Sequence, residues 1–156
     1  MAGKLSKLRN SGFLLYWLPP LVWMTAILMS SGDWGAARNT EGLLQWLLSW
    51  LPFPVPAPVE VIHYFLRITA HMLAYGVQYF LWFRAFQVLP GGGLKKSFLW
   101  ALGLCLILAL VDEGHQSLVA SRQGRVQDVA LDLLGIILAA ILLSALRRRR
   151  GRLPSP

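Results

Sequence analysis

Four of the seven acidic residues of this 156-residue chain, Asp112, Glu113, Asp128 and Asp132, fall in one stretch, DEGHQSLVASRQGRVQDVALDLLG, which runs from Asp112 to Gly135 between two long apolar runs. An ionisable side chain at the centre of a bilayer-spanning helix costs about 2.5 to 3.5 kcal/mol on insertion scales, so such groups turn toward protein or a water-filled cavity. The stretch therefore restricts the chain to folds that gather its polar groups inside and leave its apolar groups outside. At 56% hydrophobic and 14% charged residues, the chain is too apolar for an ordinary soluble domain, and its length suits a single one. The prediction is an all-α membrane protein with four transmembrane helices and an interfacial helix between helices 1 and 2. It divides into a cytoplasmic N-terminal segment, 1–12, a four-helix membrane domain, 13–146, and a basic cytoplasmic tail, 147–156.

The apolar run Phe13–Met29 follows Lys4, Lys7 and Arg9 and is read as a retained first span rather than a cleaved signal, with Pro19 and Pro20 near its start, where missing amide hydrogens cost least. Gly42–Leu51 is apolar but spans only about half a hydrocarbon core. Its Trp46 and Trp50 share a helical face, and indoles favour the headgroup level, so this piece is expected to rest on the membrane surface. Pro52, Pro54, Pro56 and Pro58 follow as a stiff connector. Helix 2 is expected over about Val61–Val88, a turn at Pro90–Gly93, helix 3 over about Ser97–Gln116, a loop from Leu118 to Gln127 with Gly124 as its turn residue, and helix 4 from Asp128 to Leu146.

The polar residues of these helices share faces. At 100° per residue, Arg67, His71, Tyr75 and Gln78 fall within an arc of about 80°. Asp112 and Gln116 share a face of helix 3, with Glu113 beside it. On helix 4, Asp128, Asp132, Gly135 and Ala139 line one side, the last two small enough for close helix approach. Eleven of the fifteen Lys and Arg lie in the N-terminal segment, at the helix 2–3 turn or in the tail. That asymmetry places both termini in the cytoplasm of an inner-membrane protein, and the polar faces near the outer leaflet. The net charge of +8 thus reflects membrane topology and anionic lipid, not nucleic acid. Antiparallel packing of helices 2 and 4 is expected to bring Arg67, His71, Asp112, Glu113, Arg122, Asp128 and Asp132 into one connected cluster. The lone Cys105 permits no intrachain disulfide, and no Cys/His metal spacing occurs, so no cofactor or metal is expected.

The segments RITAHMLAY, with Arg67, His71 and Tyr75, DEGHQ, with Asp112, Glu113 and Gln116, and SRQGRVQDVALDLLG, with Arg122, Asp128, Asp132 and Gly135, resemble the motifs of the VanZ-like family of small bacterial membrane proteins. The chain departs from that pattern at Ile68, where the family usually has Lys, and at Asp132, where it often has Asn. The resemblance implies an envelope-related role and a link to low-level resistance to the glycopeptide teicoplanin. On this reading Arg67, His71, Tyr75, Asp112, Glu113, Gln116, Arg122, Asp128 and Asp132 bind an anionic membrane lipid or a lipid-linked cell-wall precursor, through charge-assisted bonds from Arg67, Arg122 and Arg125. Two alternatives stay open. One is a hydrolase acting on a lipid phosphate: SRQGRVQDVALD has the spacing of the last motif of the type 2 phosphatidic acid phosphatases, with Asp128 at the position of their nucleophilic His and without their other motifs, and neighbouring Asp, Glu and His can do acid–base chemistry or hold a hard metal ion. The other is a network that only sets helix register, with Arg67 paired to Asp132 or Asp112.

Overall fold

The computed structural model describes residues 2–91, 93–120 and 125–150, without the side chains of 2–11, 13 and 150. The described residues are helical throughout their regular structure: α1 (Ala2–Ser30), a single 3-10 turn (Asp33–Gly35), α2 (Ala37–Leu48), α3 (Val59–Gln87), α4 (Leu94–Leu118) and α5 (Val126–Arg150). The expected helices 1 to 4 are α1, α3, α4 and α5. Ser121–Gly124 and 151–156 lie outside the described residues, and with them the expected turn at Gly124.

α1 starts well before the apolar run, so Pro19 and Pro20 sit inside the helix rather than near its start. Pro19 has no N–H to offer the carbonyl of Leu15, four residues back. That carbonyl accepts instead from the Arg84 guanidinium of α3 at 3.0 Å, and the same guanidinium lies 4.9 Å over the Tyr16 ring. Further along, Gln78 Nε2 donates to the Pro20 carbonyl at 3.1 Å and Trp23 Nε1 to the Ala74 carbonyl at 2.9 Å. As the partner number rises on α1 it falls on α3, so the two helices run antiparallel.

α3 and α5 run parallel, not antiparallel as expected. Arg67 pairs with Asp128 and His71 with Asp132, one turn further along both helices in the same direction. Two short connections, 88–93 and 119–125, require it: α4 runs back between them, so α3 and α5 must point the same way. The α3 to α4 turn uses Gly91 at φ 72°, a left-handed conformation that glycine adopts without strain. The α3–α5 crossing is tight at Gly135, where a Cβ would stand 2.2 Å from the Met72 carbonyl oxygen. Only a residue without a side chain lets the two backbones meet there.

The buried stripe of α4 is Ser97, Ala101, Cys105, Leu108, Ala109, Asp112 and Gln116, while Leu99, Trp100, Ile107, Leu110 and Val111 face outward. α5 likewise buries Asp128, Asp132 and Ile136 and exposes Leu134, Ile137, Leu138, Ile141 and Leu142. Small and polar side chains inside a sheath of large apolar ones is the arrangement a lipid solvent favours. Among the described residues, α4 and α5 are long and apolar enough to cross a membrane, and Leu14–Ser30 forms a shorter apolar helix. Aromatic rings of α1, α3 and α4 close the core at the opposite end from the acidic groups: Trp17, Trp82, Phe86 and Trp100 are in successive contact.

Candidate functional site

The polar stripe of α3 fans out to three neighbours. Arg67 donates to Asp128 Oδ2 of α5 in an ion pair. One turn on, His71 Nδ1 lies 2.9 Å from Asp132 Oδ1, also on α5. Another turn on, the Tyr75 hydroxyl donates to Asp112 Oδ2 of α4 at 3.1 Å. Gln78, the fourth member of the arc, turns to α1 and takes no part. One parallel helix, α5, and one antiparallel helix, α4, are thus tied to α3 at the end where α1 and α4 finish and α3 and α5 begin.

Burial makes these contacts consequential. Asp128 and Asp132 are 5% and 1% exposed, so each carboxylate depends on its α3 partner for a donor. The close approach at Gly135, three residues past Asp132, and Met72, next to His71, lets a short Asp side chain reach the imidazole. Arg67 pairs with Asp128, whereas a register-setting network was expected to pair it with Asp132 or Asp112. Asp112, 3% exposed, accepts from Tyr75 and from Gln116 Nε2 at 3.3 Å, both on Oδ2, and its Oδ1 is buried without a partner.

Of the expected seven-member cluster, Arg67, His71, Asp112, Asp128 and Asp132 each have a partner on another helix, joined as pairs among the described residues. Glu113 does not join the helix-to-helix pairs; its carboxylate accepts the backbone N–H of Arg125 and holds the start of α5 against the end of α4. Arg122 lies outside the described residues. Among the described residues, no three His, Cys, Asp or Glu side chains converge as a group that could hold a metal ion.

A cavity of about 310 Å³ opens beside these bridges, between the ends of α1 and α4, the start of α3, and α2. Arg67, His71, Tyr75, Asp112 and Gln116 line it, while Ile27, Leu44, Leu66, Ala70 and Ala74 supply apolar wall. Asp128 and Asp132 stand behind the wall and orient Arg67 and His71. Among the described residues His71 Nε2 has no hydrogen-bond partner.

Sequence reasoning passed over part of this lining. α2 begins at Ala37, five residues before the expected surface segment, and its first turns are a wall of the cavity: Thr40 Oγ1 lies 2.8 Å from His63 Nε2, and both residues line it. His63 stands four residues before Arg67 in the series 63, 67, 71, 75, a spacing that marks it as part of the same stripe. Ser31 and His115 meet at 3.2 Å where α1 and α4 end, and Ser31 Oγ donates to the Asp112 carbonyl at 3.3 Å. No sequence periodicity links those two, because they come from different helices.

The family model described as VanZ/LLP1 matches residues 13–147, a span that includes every residue of the cavity and of the bridges behind it. No curated protein and no solved structure matches the chain. The all-helical fold, the helices able to cross a membrane and the family match agree, and the chain belongs to the VanZ/LLP1 family.

Proposed function

We propose that this is a four-span inner-membrane protein of bacteria, with both termini in the cytoplasm, whose cavity near the outer leaflet holds the headgroup phosphate of a phospholipid or lipid-linked cell-wall precursor. The membrane domain is 13–146, flanked by the cytoplasmic segment 1–12 and the basic tail 147–156. The observation that carries this reading is the cavity itself: a guanidinium, an imidazole and a buried carboxylate line it together with the apolar side chains of Ile27, Leu44, Leu66, Ala70 and Ala74, at the end of the bundle that holds the acidic residues. Such a wall suits an amphiphile whose head is polar and whose chain leaves toward lipid. Arg67 spends one donor on Asp128 and keeps the rest of its fork for a phosphate. Glycopeptide tolerance is one envelope trait that sequestering such a lipid can alter.

The pair Arg67–Asp128 supplies the test. Replacing a buried ion pair by apolar residues of similar volume is often neutral or stabilising. The double variant Arg67→Met/Asp128→Leu should therefore fold with unchanged thermal stability in mild detergent, yet copurify with about tenfold less lipid phosphate than the parent protein. Equal lipid phosphate in both would mean that the pair only holds α3 on α5.

The His71–Asp132 pair favours a second reading, hydrolysis of the bound phosphoester. The carboxylate orients the ring and leaves Nε2 to take a proton. A water molecule would lose its proton to Nε2 while its oxygen bonds to phosphorus; the bond from phosphorus to the lipid oxygen breaks, and the leaving alcohol takes the proton from Nε2. Arg67 would neutralise the phosphoryl oxygens.

A further inference from the structure

On the reading of this cavity as a headgroup site, we infer that its ligand carries a primary ammonium group beside its phosphate, and that Asp112 is the residue that recognises it. Asp112 is 3% exposed, lines the cavity, and leaves Oδ1 without a partner. Its two donors, the Tyr75 hydroxyl and the Gln116 amide, are uncharged and both serve Oδ2. The cationic groups nearest in the α3 stripe are committed to α5, Arg67 to Asp128 and His71 to Asp132. A carboxylate removed from water needs a compensating charge or a full set of donors, and among the described residues Asp112 has neither.

The position of that gap decides the ligand chemistry. Tyr75 is two turns past Arg67 on α3, and a helical side chain leans back toward its N-terminus, so the Tyr75 hydroxyl and Asp112 lie near the level of His71, about one turn from Arg67. The wall thus offers a phosphate donor and, one turn away and just beneath its surface, an acid with no charged partner among the described residues. A purely anionic headgroup would satisfy the first and be repelled by the second. A glycerol hydroxyl would fill Oδ1 but leave the charge, and a quaternary ammonium would meet the charge but bring no N–H. An aminoalkyl phosphate lipid, zwitterionic and with N–H donors, satisfies both positions.

The full chain, purified in mild detergent, is offered an equimolar mixture of phosphatidylethanolamine, its N-methyl and N,N-dimethyl derivatives, phosphatidylcholine and phosphatidylglycerol with identical acyl chains, and retained lipid is read by native mass spectrometry. Phosphatidylethanolamine should be retained about tenfold over phosphatidylcholine and phosphatidylglycerol, with retention falling as methyl groups replace N–H. Asp112→Asn should lower phosphatidylethanolamine to the level of phosphatidylcholine and leave the other lipids unchanged. A flat N-methyl series, phosphatidylglycerol retained as well as phosphatidylethanolamine, or a folded Asp112→Asn protein that keeps the preference would each overturn the inference. The N-methyl series uses the unaltered protein, so it remains decisive if the variant does not fold. Retention without headgroup preference would sink this inference and leave the headgroup site standing; no phospholipid retained above background would sink both.

Discussion

His71 shows how much a single side chain depends on its neighbour. Its Nδ1 is held by a carboxylate that is itself 1% exposed, so the ring has one orientation and Nε2 has one direction in which to act. If that arrangement serves proton transfer, purified protein in detergent should release inorganic phosphate from phosphatidic acid, and His71→Gln should lower the rate by about 100-fold or more, the usual contribution of a positioned base. Lipid retention should survive that change if Arg67 and not His71 donates to the phosphate. Retention without phosphate release in the parent protein would confine the site to binding. Both stripe residues were legible from their spacing of four, but their partners were not: a spacing shows which residues share a face, never which helix that face meets.

Helix packing turns on the α3–α5 crossing. Gly135 meets the backbone of Met72, whereas a Cβ on Gly76 would meet the Gly135 carbonyl oxygen at 3.3 Å and the Ala139 side chain at 3.7 Å. Overpacking a core costs about 1 to 3 kcal/mol, and Gly135→Ala belongs at the upper end because the atoms it strikes are main chain and cannot rotate away. Thermal unfolding in detergent should show a clear loss for Gly135→Ala and a smaller one for Gly76→Ala. Equal losses would place the crossing elsewhere. The same substitution should weaken the His71–Asp132 contact, since the helices would have to part by the added methyl. Gly135 and Ala139 could be read from the sequence as small residues on the Asp128–Asp132 face. Their contact with Met72 and Gly76 depends on a parallel α3–α5 pair, which follows from chain connectivity more than from any residue pattern.

Across the whole molecule most of the described Lys and Arg lie at one end of the bundle and the acidic residues of the site at the other. Arg84, Lys95, Lys96 and Arg147–Arg149 lie at one end, where Arg147 donates to Gln87 Oε1 at 3.0 Å and Gln87 Nε2 donates to Ser97 Oγ at 2.9 Å. Asp112, Glu113, Asp128 and Asp132 lie at the other, under α2. The positive-inside bias then predicts that the α2 end faces outward. In a Cys105→Ser background, cysteines at Ser49 and at Lys95 should react with an impermeant maleimide from opposite sides of sealed membrane vesicles, Ser49 from the outside. Reaction of both from one side would refute the proposed topology. α2 also matters at this scale, because Leu43, Trp46 and Leu47 are exposed while Thr40 and Leu44 of the same helix line the cavity. It is a wall of the site as well as a surface helix.

Composition and periodicity alone carried this chain as far as helices, their order, the inward faces and the residues on them. Local rules suffice there, because an apolar run, a proline cluster or a four-residue polar spacing acts within one or two turns of helix. The boundaries of α1 and α2 escaped those rules: Arg84, far along the chain, caps the carbonyl that Pro19 leaves bare, and Thr40 meets His63 across a loop. The pairing of Arg67 with Asp128, the cavity wall made by α2 and the unpartnered Oδ1 of Asp112 are long-range facts. They arise only once α3 has α5 on one side, α1 and α2 on another and α4 between, because each joins groups that no local spacing relates.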